Sequence, residues 1–266
     1  MSSVEKLIYY LQATMNEPKP FGWFHLLWLG MTIASLTFLY FRKDKHNEKQ
    51  LKSILIIYGV GSLIFELLKQ IIWSFEYDPS LMIVSWDYPW YIFPFQLCST
   101  PMYVAILCAF LKNGKVRMAL LSYLSYITIW GSLLTIILPE SCFVDTIIVN
   151  IHTMYLHCGS FVVSVYLLMT KEVKLNLNYF LKAFATFTIF VLIALTMNIF
   201  FYNFIVPIDE SFNMFYINPY LSNDLPILSE IQANYPYIVY ILSYLFAFLV
   251  GASVILGIGK IFNLKR

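Results

Sequence analysis

Runs of about 20 mostly apolar residues recur along this chain, the length a helix needs to cross ~30 Å of hydrocarbon. A water-soluble core has no use for so many of them. Composition agrees, because only 12% of the residues are charged, against roughly 25% in a soluble domain. The spacing predicts seven transmembrane helices at about 21–41, 51–74, 91–111, 116–138, 146–169, 179–205 and 236–260. The expected fold is an all-α polytopic bundle forming one membrane domain over 1–266, with no repeat or soluble appendage.

Charge gives an independent check, since it played no part in drawing the spans. Of the 17 basic residues, 14 fall at alternate boundaries: Arg42 to Lys52, Lys112 to Arg117, Lys171 to Lys182, and the terminal Lys260, Lys265 and Arg266. The opposite loops, 75–90, 139–145 and 206–235, hold no Lys or Arg but carry Glu76, Asp87, Asp145, Glu210, Asp224 and Glu230 among their acids. Positive charge stays on the cytoplasmic side. The expected localisation is therefore the cell membrane, with the N-terminus extracellular and the C-terminus cytoplasmic.

Residues 1–20 lack the apolar core and cleavage site of a signal peptide. Val4, Leu7, Ile8 and Leu11 have helical spacing, so the segment reads as a short interfacial helix. The loop 206–235 is long for a connection in a bundle and contains Pro207, Pro219 and Pro226. It reads as a cap over the outer end. Net charge is +2, and no basic aromatic patch points to nucleic acid. The four cysteines form no CxxC pair, so nothing signals a metal or other cofactor.

Function in such a bundle resides in polar groups at depth, because an unpaired charge in hydrocarbon is costly. In the second span Ser62, Glu66 and Lys69 share one helical stripe, and Glu66 and Lys69 are spaced for an ion pair. Ser125, Thr128, Ser132 and Thr135 repeat the spacing in the fourth span. The fifth carries Thr146, Asn150, Thr153, His157, Ser160 and Ser164 in one polar line. His25 opens the first span, and Gln96 and Cys98 lie early in the third. At 1.5 Å per residue, His25, Gln96, Cys98 and His152 lie roughly 5–11 Å below the outer boundary, Glu66 about 12 Å and His157 about 17 Å. Groups from several spans thus occupy the outer half of the bilayer, as the walls of one polar cavity would.

Each feature also fits a packing role. Glu66 with Lys69 is equally a neutralising pair, and His157 equally an interhelical hydrogen-bonding residue. His152 lies about 140° around the helix from His157 and reads as structural. Cys98, His157 and Glu66 together suggest more: a thiol is nucleophilic as thiolate, an imidazole can take its proton, and a carboxylate can orient the imidazole.

The order Pro94-Phe95-Gln96-Leu97-Cys98, Trp130-Gly131, Pro139 and His157, followed by Asn213-Met214-Phe215-Tyr216 and Asn234-Tyr235-Pro236-Tyr237, resembles the YwaF-like bacterial integral membrane proteins. That family is related to an animal membrane acyltransferase of ether-lipid metabolism. The resemblance implies that Cys98 carries an acyl group as a thioester and that His157 is the family histidine. Gln96 departs from the pattern, where many bacterial members have His.

The leading expectation is a lipid acyltransferase or acyl hydrolase with Cys98 as nucleophile, His157 as base and Glu66 as orienting carboxylate. His25, Gln96, Lys69, Asn150, Thr153 and Asn213 are the expected substrate-binding residues, and membrane phospholipids or their acyl chains the expected partners. The sequence leaves the oligomeric state open. The alternatives are a transporter or proton relay through Glu66, Lys69 and His157, and a non-catalytic ligand-binding or scaffold protein. A zinc hydrolase would need His25, Cys98 and His157 to converge.

Overall fold

The computed structural model describes residues 2–78, 80–81, 83–223 and 225–263. Asp224, Lys265 and Arg266, which contribute to the charge pattern, lie outside these residues, as does the side chain of Lys260. The helices are α1 (Ser3–Leu11), α2 (Trp23–Arg42), α3 (Glu48–Ser74), α4 (Thr100–Phe110), α5 (Lys115–Tyr126), α6 (Thr128–Ile137), α7 (Ile147–Met169), α8 (Leu177–Phe204), α9 (Leu228–Asn234) and α10 (Tyr237–Asn263). Six helical segments are long and apolar enough to cross a membrane, α5 and α6 together counting as one. The chain is an all-α polytopic membrane protein. Its outward surface carries large apolar side chains such as Leu26, Ile33, Ile57, Leu192 and Leu242, which need hydrocarbon rather than water around them.

The bundle has two chemically distinct ends. At the acidic end, Gln12 donates to the carbonyls of Ile72 and Phe75, and Met15 N–H donates to Asp145 at 2.7 Å. The N-terminal segment, with α1 closed by a Ser2–Glu5 capping box, is therefore tied to the ends of α3 and the loop before α7. At the basic end, Arg117 is 5% exposed and pairs with Glu48 at 3.0 Å, while its Nε donates to the Cys108 carbonyl. His46 there bridges Tyr166 and Glu172 at 2.7 and 2.6 Å. The alternation of loops inferred from charge is thus the alternation that the fold displays.

The third segment departs from expectation. Residues 91–111 are not one helix; only Thr100–Phe110 is, and 11 residues are too short to span hydrocarbon alone. Two prolines explain this. Pro94 lacks the N–H that a helix interior needs, and Pro101 is accommodated in the first turn of α4. A 3-10 turn at Trp90–Ile92 and irregular chain through Ser99 fill the other half. Irregular backbone at this depth is tolerated only where protein covers it. Here Phe93 packs on Phe201 and Phe212, and Phe95 stacks on Phe215.

Two smaller differences are local. The expected fourth span is interrupted at Ile127, between α5 and α6. The end of α3 runs directly into a hairpin, β1 (Phe75–Asp78) pairing antiparallel with β2 (Ile83–Trp86), which no apolar periodicity foretold. Among its described residues the cap 206–235 contains α9 and a 3-10 turn at Met214–Tyr216 but is otherwise irregular, and it is held down by side chains. Buried Asn198 of α8 both donates to the Met214 carbonyl at 2.9 Å and accepts from its N–H at 2.7 Å. Tyr240 Oη donates to the Tyr216 carbonyl at 2.6 Å.

Helices in lipid associate through close packing rather than hydrophobic burial, so small residues matter where they meet. On α7, a Cβ added to Gly159 would lie 2.6 Å from Tyr58 Cδ2 on α3. On α3, a Cβ added to Gly59 would meet Ile106 of α4 at 2.7 Å. The seam of α3, α4 and α7 closes only because these positions are bare.

Candidate functional site

This seam holds the densest buried polar chemistry of the bundle. Apolar residues on three sides of α3 leave one stripe, Tyr58, Ser62, Glu66 and Gln70, facing protein. Glu66 is 1% exposed and is surrounded by partners. Lys69 Nζ lies 2.7 Å from Oε1, Gln70 Nε2 donates to the same oxygen at 2.8 Å, and His152 Nε2 lies 3.1 Å from Oε2. The last is a close polar contact without the alignment of a hydrogen bond, so Oε2 and Nε2 both retain unused hydrogen-bonding capacity. Gln70 also donates to the Ile92 carbonyl and accepts from Tyr88 Oη, linking the cluster to the acidic-end loops. An ionised carboxylate persists at such depth only with this density of compensation.

Cys98 stands beside the cluster, in the turn that leads into α4. Its side chain is exposed, whereas Cys108 and Cys158 are buried and Cys142 is half-buried. Lys69 and Glu66 are its strongest charged neighbours. The N-terminus of α4 lies immediately after it. The break in the third segment therefore places an accessible thiol at a helix N-terminus, next to a buried charge cluster.

The histidines are arranged differently from the expectation. His152, which sequence spacing made structural, is the imidazole that contacts Glu66. His157, expected as its partner, is buried, and among the described residues it makes no side-chain hydrogen bond or ion pair. The structure thus brings Glu66, Lys69 and His152 together, with Cys98 an electrostatic neighbour of Lys69 and Glu66, while His157 stands apart from the carboxylate.

Several expected substrate-binding residues are engaged in holding backbone. Gln96 donates to the Asn213 carbonyl at 3.3 Å and accepts from Phe215 N–H at 3.1 Å. That clasp fixes a stretch where Phe215 and Tyr216 both have positive φ, near 60°. Asn213 itself accepts from Asn218 N–H at 2.9 Å. Asn150 closes a two-way pair with the backbone of Val144. Thr153 is half-buried. His25 is fully buried with both nitrogens used: Nδ1 accepts from Phe21 N–H at 2.9 Å, so Nε2 donates to the Ile136 carbonyl at 2.8 Å.

The zinc alternative fails on these contacts. His25 has no lone pair to offer, and no three His, Cys, Asp or Glu side chains gather for a metal among the described residues. The residues that sequence reasoning missed are Tyr58, Gln70, Tyr88, His152 and Asn198. Only the position of Tyr58 one turn before Ser62 on the polar stripe could have signalled its place.

Two hollows flank the seam. One, of about 340 Å³, lies under the cap among neutral polar side chains including Tyr91, Gln96, Asn213 and Ser222. The other, of about 440 Å³, is almost wholly apolar and lies between α2 and α7, lined by Trp23, Leu27, Trp28, Met31 and Ile151. Of the residues expected to line one polar cavity, only Gln96 and Asn213 border the first hollow, and Glu66, Lys69, Cys98 and His157 border neither.

Comparison with known families is consistent with a membrane bundle of this kind. The model of the TMEM164 family, a membrane protein family, matches residues 20–256. The chain belongs to the TMEM164 family. The match runs from the start of α2 into α10 and so takes in the cap, the broken third segment and the charge cluster. No curated protein and no solved structure gives a significant match.

Proposed function

We propose that this TMEM164-family chain is a lipid-modifying enzyme of the cell membrane that moves acyl groups through a thioester on Cys98. One observation carries the reading: the exposed thiol lies at the N-terminus of α4, with Lys69 and Glu66 of the buried cluster as its charged neighbours. Cys98 attacks the acyl carbonyl of an ester lipid. The imidazole oriented by Glu66, His152, takes the thiol proton and returns it to the departing alcohol. The thioester then passes its acyl group to an acceptor hydroxyl or to water. The apolar groove between α2 and α7 suits an acyl chain arriving from the bilayer. The acidic end, which carries the N-terminus, is the outer one, so the substrate enters from the outer leaflet.

The test is peptide mass spectrometry of the purified protein after incubation with mixed phospholipids. An acyl group on Cys98, removed by hydroxylamine and absent from Cys98→Ser, supports the route. An unmodified Cys98 with no lysolipid formed overturns it.

A second reading rests on the same buried groups. Glu66, Lys69 and His152 also have the composition of a proton relay. A relay tolerates Cys98→Ser and fails on Glu66→Gln, whereas the enzyme fails on both.

A further inference from the structure

We propose that the hydroxyls of Tyr58 and Ser62 form the oxyanion hole of this site. The proposal rests on the acyl-transfer reading and names the groups that stabilise its tetrahedral intermediate. Both side chains lie on the stripe of α3 that leads to Glu66, one turn apart, and are 3% and 0% exposed. Tyr58 Oη and Ser62 Oγ are both buried without a hydrogen-bond partner. The hydroxyls of Ser62 and Ser160 are close enough to Tyr58 Oη to interact with it without completing a hydrogen bond, and Ser160 donates instead to Thr128 Oγ1 at 3.4 Å.

Buried hydroxyls are normally satisfied, and a site that leaves two adjacent donors open calls for an acceptor that arrives later. Cys98 is an electrostatic neighbour of Tyr58. The neighbouring Tyr123, also beside Cys98, is by contrast already bonded to Thr100 Oγ1 at 2.6 Å. The open hydroxyls of Tyr58 and Ser62 thus continue, along α3, the unsatisfied polar atoms that begin at Glu66 Oε2 and His152 Nε2. Tyr58 is also held in place rather than free to seek a partner, since its ring lies against the bare Cα of Gly159.

The step balances as follows. The Cys98 sulfur adds to the carbonyl carbon, and the C=O π pair moves onto oxygen, where the Tyr58 and Ser62 hydroxyls donate to it. That pair returns as the C–O bond of the leaving alcohol breaks, and the alcohol takes the proton first removed from the thiol. The ester and thiol become a thioester and an alcohol. Donors aimed at developing charge in a water-poor site are usually the largest single contribution to such a reaction.

The experiment compares the full-length protein with Tyr58→Phe and Ser62→Ala, using p-nitrophenyl decanoate as acyl donor so that headgroup recognition plays no part. The initial rate of Cys98 acylation is expected to fall about 10²–10³-fold for Tyr58→Phe, and by a comparable factor for Ser62→Ala. Alkylthiolation of Cys98 by methyl methanethiosulfonate forms no oxyanion, and its rate is expected to stay at the wild-type value, showing that fold and thiol are intact. Losses below about tenfold in both variants overturn the oxyanion assignment and leave acyl transfer standing. Equal losses in acylation and alkylthiolation also overturn it, since the hydroxyls then serve packing or thiol access. A wild-type protein that forms no thioester overturns the acyl-transfer reading and this assignment with it.

Discussion

Glu66 on α3 and His152 on α7 face each other across the bundle with Oε2 and Nε2 3.1 Å apart, both side chains almost fully buried. The contact joins two long helices at a depth where neither group could stand alone. It also makes His152, and not the deeper His157, the imidazole that a carboxylate can orient.

This pairing has a stability consequence. Glu66→Gln leaves Lys69 buried without its counter-charge and His152 without its carboxylate contact, and removal of one partner from a buried ion pair costs about 3–5 kcal/mol. Thermal unfolding in detergent should show a clear loss for Glu66→Gln. A double-mutant cycle with His152→Gln should give a non-zero coupling energy, because the two residues touch. Additive effects would mean that the contact is not formed.

Catalysis should separate the two histidines. If acyl transfer uses the imidazole held by Glu66, His152→Gln should reduce thioester formation on Cys98 by about 10²–10⁴-fold, the range typical of a lost general base. His157→Gln should cost much less. The reverse order, measured by hydroxylamine-sensitive label on Cys98, would return the base role to His157.

Gly159→Ala should be destabilising although it adds a single methyl. The new Cβ would lie 2.6 Å from the Tyr58 ring, and overpacking of this kind typically costs about 1–3 kcal/mol. The shift in melting temperature should shrink when Tyr58→Ala is combined with it, since the smaller side chain makes room.

The cap depends on Asn198. Asn198→Ala strips the buried Met214 N–H of its partner, at about 1–3 kcal/mol, and removes one of two donors to the Met214 carbonyl, which keeps the Ile217 N–H. Limited proteolysis should then cut faster within 206–235 than in the wild type, with the transmembrane helices still protected.

Membrane orientation is open to direct measurement. In a variant whose native cysteines are replaced, a cysteine introduced at Ser229 in the cap should react with a membrane-impermeant maleimide on intact cells. One introduced at Lys171 should react only after permeabilisation. The opposite pattern would invert the assignment that the basic loops suggest.

Residence in a bilayer, the ends of most helices and the grouping of loops at two ends are all legible in the order of the amino acids. Those features are written in local quantities, namely apolar run length and the side of the chain on which Lys and Arg collect. That order also exposed the α3 stripe of Ser62, Glu66 and Lys69, because helical spacing is local too. What it misjudged at the local level was the third segment, where Pro94 and Pro101 outweighed an apolar run and left helix only at Thr100–Phe110. The remaining decisions were tertiary. That Glu66 meets His152 and not His157 depends on how α7 is rotated against α3, and that rotation is set by bare positions such as Gly159. Gln96, Asn150 and Asn213 look like ligand-binding amides in a linear reading. Only the folded chain shows their hydrogen bonds already given to the backbone of the cap and of the loop before α7, because irregular backbone shielded from water must find its partners within the protein.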